Sequence, residues 1–385
     1  MFETTTLSFK GLTLGVPQAM GAFRLVPLLR EGAPGDLRIA RRAYDRAPAV
    51  VALDSAPSEA GLKYISYIPH GFVVSYREDG SEAVFGTKLG REAVSGRGVN
   101  LLHRMVKGEE APDGGGRFRM LPLHLAMEGY LALHFNGPDV LWAEYSRRAQ
   151  RFGLDPRTES SVRGAALRGF EEALRVFEIA PSQVGSIVLV ADGLAAVFVV
   201  SHPDDYRRLH RSLLEDFYGE LLYRYAVLHP ETAHAAAEPF DAARVVSLDD
   251  LRAELAGVRR QWAAFGELAA GGLAGRDVRA ERVRLAGPFR LERFTTRLHP
   301  DDECHLGERI VREDGALEYL KTYRLSAAQV RRGFLLETLA AAGWHFDTAA
   351  EKLGSTREEL VRRLNNAGLG YLLAPGLLEA AMRRR

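Results

Sequence analysis

Short apolar runs separated by turn residues mark the first hundred positions, and from Leu7 to about Leu102 the pattern favours strands. Phe23 to Leu29, Tyr64 to Ile68 and Phe72 to Tyr76 are rich in aromatic and β-branched residues, with glycine and proline between them. Asp79-Gly80 lies between Val73-Val74-Ser75-Tyr76 and Ala83-Val84-Phe85, which predicts an antiparallel hairpin, because this dipeptide tolerates the positive φ of a tight turn. The clearest hairpin is Val184 to Val200. Its two almost wholly apolar runs flank Ala191-Asp192-Gly193, so both strands are expected in the interior. A second β tract, Val283 to Leu325, sets Glu313-Asp314-Gly315 between the runs Glu308 to Arg312 and Leu317 to Tyr323.

Helical spacing occupies the rest. Pro138 to Phe152 and Ser160 to Phe177 read as helices, the second with Val162, Ala166, Phe170, Ala173, Leu174 and Phe177 on one side. Ser201-His202-Pro203 opens a helix predicted to run through Leu221, with proline suited to the first turn. Ser247-Leu248-Asp249-Asp250 resembles a capping box starting a helix to about Leu268, which Gly271-Gly272 ends. Gly108 to Arg117 is too glycine-rich and polar to pack and reads as a loop. The fold class is therefore α+β: a large N-terminal mixed domain with antiparallel sheet (1–230), a helical joint with a returning β-hairpin (231–325) and a trihelical end (326–385).

Composition narrows the setting. With 385 residues and 46% apolar content, two to three packed domains are expected. Lys+Arg 51 against Asp+Glu 50 leaves no global field, so any polyanion binding has to be local. Cys304 is the lone cysteine, which excludes an intramolecular disulfide and a thiolate-rich zinc site and fits a reducing cytoplasm. The N-terminus lacks a basic flank leading into an apolar core, and no run of eighteen apolar residues occurs, so a cytoplasmic protein without a membrane partner is expected.

The trihelical end starts with Ser326 placed to cap a helix to Ala342, whose apolar side carries Val330, Phe334, Leu335 and Leu339. A shorter helix, about Asp347 to Leu353, follows the Gly343-Trp344 break. After Gly354, Ser355 or Thr356 caps a third helix, with Glu358 or Glu359 completing a capping box, and Gly368 and Gly370 stop it. On that helix Leu360, Val361 and Leu364 point inward while Glu358, Glu359, Arg362 and Asn366 point out. Gly343, Ala349-Ala350, Leu353-Gly354, Thr356-Arg357, Leu360, Arg363-Leu364 and Gly368-Leu369 resemble the C-terminal helix-turn-helix of Fis and the enhancer-binding regulators. Trp344-His345 stands where that family has Gly-Asn, and Ser355 where it has isoleucine, departures that bear on how the first two helices pack. The resemblance implies duplex DNA contact, with Lys352, Thr356, Arg357, Arg362 and Arg363 reaching phosphates or base edges. Residues 326–385 hold nine Lys/Arg and six Asp/Glu, a surplus of only three positive charges. Glu358 and Glu359 would meet phosphate unfavourably, so a protein-contact role for the same helices stays open.

Phe9-Lys10-Gly11-Leu12-Thr13-Leu14-Gly15-Val16-Pro17-Gln18 and Phe23 to Leu29 resemble the opening of bacterial domains named for their association with ADP-ribosylglycohydrolase and rhodanese-phosphatase genes. Gln183-Val184-Gly185 through Asp192-Gly193, Val197-Phe198 and Tyr206-Arg207-Arg208-Leu209 resemble the closing hairpin and helix of those domains. The resemblance spans about Leu7 to Leu222 and implies an accessory protein in a system handling ADP-ribose or NAD-derived groups, in nucleic-acid repair or conflict. It brings no catalytic residues with it.

Two further segments carry candidate chemistry. Lys88, Arg91, Arg97 and Asn100 lie among the glycines of Gly86 to Asn100, whose amides could approach a phosphate, although the segment lacks both the Gly-Lys-Ser/Thr ending of a nucleotide-binding loop and a dinucleotide fingerprint. His299-Pro300-Asp301-Asp302-Glu303-Cys304-His305 with Glu308 is the densest set of metal-ligand types, but its spacing matches no standard motif and a polar loop is the simpler reading. His124 and His134 read as core or edge residues. No catalytic residue, metal or cofactor is assigned. The leading reading is a non-enzymatic regulator or adaptor, partnered by duplex DNA and by proteins. The alternatives are an enzyme or sensor for a phosphorylated or ADP-ribosylated ligand, and a protein-interaction module without DNA binding. A homo-oligomer stays open, since a palindromic site would need a dimer and no heptad zipper supplies one.

Overall fold

The structure is a computed structural model that describes residues 2–39, 169–191, 193–214, 218–228, 242–370, 373–374 and 376–383. Between 49 and 119 it describes only the strand segments 49–52, 63–66, 73–75, 82–84, 88–89, 109–110 and 117–119. The expected helix Pro138 to Phe152, the Gly108 to Arg117 loop centre, His124 and His134 lie outside the described residues.

One antiparallel ten-stranded sheet organises the described residues. Its strands are β1 (Phe2–Thr6), β2 (Thr13–Leu14), β3 (Gln18–Met20), β4 (Phe23–Leu29), β5 (Gln183–Val190), β6 (Gly193–Val199), β7 (Asp277–Ala286), β8 (Phe289–Thr296), β9 (His305–Arg312) and β10 (Leu317–Arg324). They lie side by side in the order β1-β7-β8-β9-β10-β6-β5-β4-β2, with β3 also on β4. The hairpin read at Val184 to Val200 is β5–β6, and it pairs on both sides, with β4 and with β10. Gly315, at φ 86, closes the β9–β10 turn. The tract after residue 276 therefore supplies four strands to the same sheet as the N-terminal segment.

The sheet has to curl. Nine strands abreast would span roughly 38 Å if flat at about 4.8 Å per spacing, whereas seven residues of extended chain reach at most about 25 Å. Residues 7–12 nevertheless connect the edge strand β1 to the opposite edge strand β2. On the way Leu7 N–H donates to Arg276 O, Leu317 N–H to Lys10 O, and Lys10 Nζ to Asp314 O.

Two apolar cores result, one on each face, because alternate strand residues point to opposite sides. The inner core gathers Leu7, Val26, Leu28, Ile187, Val197, Phe294 and Leu320 against the C-terminal half of a long helix, Leu248–Gly271, through Phe265, Ala269 and Ala270. Gly307 on β9 lies under the Phe294 ring of β8. A Cβ there would sit 2.7 Å from the ring and 2.3 Å from Lys321 O, so no side chain fits.

The outer core joins Phe23, Val188, Phe198, Leu306, Ile310, Tyr319 and Tyr323 to the helices laid over them. Those helices are α1 (Phe170–Val176), α2 (Pro203–Ser212), α3 (Gly219–Leu222, continued by a π-helical turn at Tyr223–Leu228), and, beyond the long helix α4 (Leu248–Gly271), the C-terminal α5 (Ala327–Ala341), α6 (Phe346–Lys352) and α7 (Arg357–Leu364), after which α8 (Leu377–Arg383) follows. The helix expected from Ser201 to Leu221 is described as α2, with a π-helical turn at 213–214, and again as α3; Tyr218 N–H donates to Leu213 O, and residues 215–217 lie outside the described residues. Its start is as expected: His202 caps α2 through its side chain and Pro203 opens it.

Short strands between β4 and β5 form two further sheets. Arg38–Ile39, Val73–Ser75, Glu82–Val84 and Lys88–Leu89 make one, in which Val73–Ser75 and Glu82–Val84 are the strands flanking Asp79-Gly80. Ala49–Ala52, Lys63–Ser66, Arg117–Arg119 and Glu109–Glu110 make the other. Among the described residues no helix is long and apolar enough to cross a membrane.

Candidate nucleic-acid interface

Local chemistry builds the three helices α5, α6 and α7. Ser326 and Gln329 form a reciprocal capping box that starts α5. At its end Gly343 N–H donates to Ala340 O and Trp344 N–H to Leu339 O, a Schellman turn that needs a left-handed residue at Gly343, φ 60. Trp344 also sits at φ 65, a conformation that costs a non-glycine residue of order 1–2 kcal/mol, and its ring packs against the outer core. His345 is the N-cap of α6 without a side-chain cap hydrogen bond, so the position lacks the stabilisation an asparagine would bring.

The second turn repeats the first. Gly354 N–H donates to Glu351 O and Ser355 N–H to Ala350 O, with Gly354 at φ 58. Thr356 caps α7 by accepting from Glu359 N–H at 3.2 Å. Ser355 Oγ is buried with no hydrogen-bond partner, so the hydroxyl loses its hydration without compensation. Leu360, Val361 and Leu364 are buried. Val330, Leu335, Leu336 and Leu339 of α5, Ala349 and Ala350 of α6, and Leu360 and Leu364 of α7 belong to the same cluster as the outer face of the sheet, and Arg279 of β7 pairs with Glu337 of α5.

The structure brings four of the five sequence-assigned DNA-contact residues onto or beside α7 and gives each of the five an internal partner. Arg357 pairs with Asp347 at 3.1 Å, Arg362 and Arg363 both pair with Glu359 at 3.1 Å, and Lys352 Nζ donates to Ala341 O. Thr356 is spent on the cap. Arg357 and Arg363 remain about half exposed, at 46% and 48%, whereas Arg362 is at 29% with its Nε buried and unpartnered. The last helix, α8, packs against α7. Glu359 as a shared partner is legible in the sequence from its i,i+3 and i,i+4 spacing to the two arginines. Asp347 is not, because it lies on the preceding helix.

The other assigned residues are dispersed or undescribed. Lys88 begins the Lys88–Leu89 strand, paired with Val84, while Arg91, Arg97 and Asn100 lie outside the described residues. In the His299 to Glu308 segment, His299 is exposed beside Asp301. His305 is buried, with Nε2 3.2 Å from Leu194 O, and burial pushes its pKa down to about 4. Cys304 Sγ lies 3.3–3.6 Å from the carbonyls of Arg297, His299 and Asp302, and burial raises its pKa, which suits a structural thiol. Glu308 turns to Lys321 across the β9–β10 pair at 2.9 Å. No three potential ligands converge among the described residues.

Charges inside the sheet are paired in a different way from those on α7. Lys321 and Glu308 are both buried, and burial lowers the lysine pKa against the opposing pull of the carboxylate. Arg309 donates to Glu292 at 2.7 Å with both side chains buried. Arg30, Glu318, Arg312 and Asp36 form a chain in which Arg312 donates to Glu318 and, through two 2.8 Å bonds, to Asp36.

Fold and site together define an α+β protein with a curled, helix-filled antiparallel sheet and a capped three-helix group built into its outer core. The chain belongs to the ARPP-2 family, which it matches over residues 7–287, well over half its length. That stretch takes in β2 to β6, α4 and β7 and stops before β8. Neither the curated proteins nor the solved structures contain a match.

Proposed function

We propose that this protein is a non-enzymatic regulator or adaptor that contacts duplex DNA through the exposed side of α7. The observation that supports this most is the state of Arg357 and Arg363. Both are half exposed on a helix braced from behind by Leu360, Val361 and Leu364, and both are held only by exposed carboxylates. Exposed ion pairs of this kind contribute about 0.2–1 kcal/mol each, so a phosphate can replace the carboxylate at small cost. Two successive Schellman turns and the Thr356 cap fit the helix-turn-helix reading of these residues. The resemblance of residues 7–222 to domains associated with ADP-ribosylglycohydrolase genes supports an ADP-ribose- or NAD-linked repair or conflict setting.

One observation favours a protein partner instead: Glu359 neutralises two of the arginines and α8 rests on the same helix. The enzyme or sensor alternative draws nothing from His299 to Glu308, where no three potential metal ligands converge among the described residues. Anisotropy of a labelled generic duplex titrated with the whole chain, at salt concentrations from 50 to 200 mM, tests the proposal. Binding that weakens steeply with salt is expected, and no binding at the lowest salt would leave the protein-contact reading in its place.

A further inference from the structure

A cleft of about 780 Å³ opens where the strand pair β2–β4 meets the loop after α1 and the middle of α4. Its apolar walls are Leu14, Val16, Pro17, Pro27, Leu29 and Ile179. This volume falls in the range of small-molecule sites, and three prolines counting Pro181 leave the walls stiff and poor in donors. Val16 is 64% exposed, so the apolar wall is open to solvent.

The polar groups of the cleft are unspent. Arg259 lines it from α4 and makes no hydrogen bond or ion pair among the described residues. Gln18 gives its Nε2 hydrogen to Glu178 O at 2.9 Å, which leaves Oε1 buried without a partner. Glu178 lines the same cleft, and its carboxylate is likewise unpaired among the described residues.

We infer that this cleft binds a small molecule with an apolar body and a single phosphate or carboxylate, the anion held by Arg259. One cation suits one anion, and the nearby Glu178 repels a ligand with several. A polyanion such as a nucleic-acid backbone is thereby selected against, which separates this site from α7. All of these residues fall within the stretch matched to the family.

Titration of the whole chain with 1-naphthyl phosphate, 1-naphthoate and uncharged 1-naphthol, followed by naphthalene fluorescence, tests the inference. At least one anion should bind roughly tenfold or more tightly than 1-naphthol, and the better of the two identifies the class of anion. Arg259→Ala should remove that preference, while Arg260→Ala, an equal loss of charge one residue away, should keep it. Val16→Trp, at an exposed position, should block all three probes. Equal binding of anions and 1-naphthol, equal effects of the two arginine substitutions, or undiminished binding by Val16→Trp would each overturn the assignment.

Discussion

The charges of the sheet and the charges of α7 use the same chemistry in opposite surroundings. Lys321–Glu308 and Arg309–Glu292 are closed off from water, whereas Arg357–Asp347 and Arg363–Glu359 stand half in it. A buried pair has paid desolvation already, so removing one partner strands the other, and the pair behaves as a structural unit. An exposed pair keeps most of its hydration and exchanges partners at little cost. The difference separates charges that hold the fold from charges available to a ligand.

The largest effect that sharpens this contrast is expected inside the sheet. Lys321→Met leaves the Glu308 carboxylate buried and alone, and should cost about 3–5 kcal/mol of stability in urea unfolding. Adding Glu308→Leu should recover most of that loss. Arg357→Ala should cost less than about 1 kcal/mol in the same assay. Comparable losses for Lys321→Met and Arg357→Ala would erase the distinction.

Acid should act next most strongly, through His305. Its folded-state pKa, about 4, lies below the ordinary histidine value, so the unfolded chain takes up a proton first as pH falls. Stability is then fully present above about pH 6.5 and declines towards pH 4, by about 3 kcal/mol for this residue. Burial lowers the His210 pKa too, which adds in the same direction. Unfolding midpoints measured from pH 7.5 to 4 should fall less steeply for His305→Gln than for the wild type. Parallel slopes would assign the acid sensitivity elsewhere.

A smaller gain is expected at the second turn of the C-terminal group. Ser355→Ala removes the unpartnered buried hydroxyl and should raise stability by about 1 kcal/mol, seen as a higher melting temperature. An unchanged or lower value would mean that the hydroxyl is satisfied in solution.

The same contrast explains what could be read from the sequence. The β5–β6 hairpin was legible because strands covered on both faces are almost wholly apolar and their turn residues are distinctive. The caps at Ser247, Ser326 and Thr356 were legible because each depends on residues three apart. The start of β7 was not, since Val278 and Ala280 point into the inner core while Arg279 and Glu281 alternate with them and, with Arg282, give the run a loop-like composition. Nor could Lys321 be told from an ordinary surface lysine, because its partner lies thirteen residues away across a hairpin. On α7, the helix and its Thr356 cap were readable. The internal partners that hold its arginines were readable only where they share that helix.

The sharing of one core by the sheet and residues 330–369 also decides how DNA binding has to be tested, since cutting the chain after Leu325 would remove part of that core. Point substitutions avoid this. The salt dependence of duplex binding should be compared between the wild type and Arg357→Ala/Arg363→Ala. Weaker binding and a log–log salt slope shallower by about 2 are expected, one unit for each lost phosphate contact. Unchanged affinity with an unchanged slope would contradict a DNA-contacting role for α7.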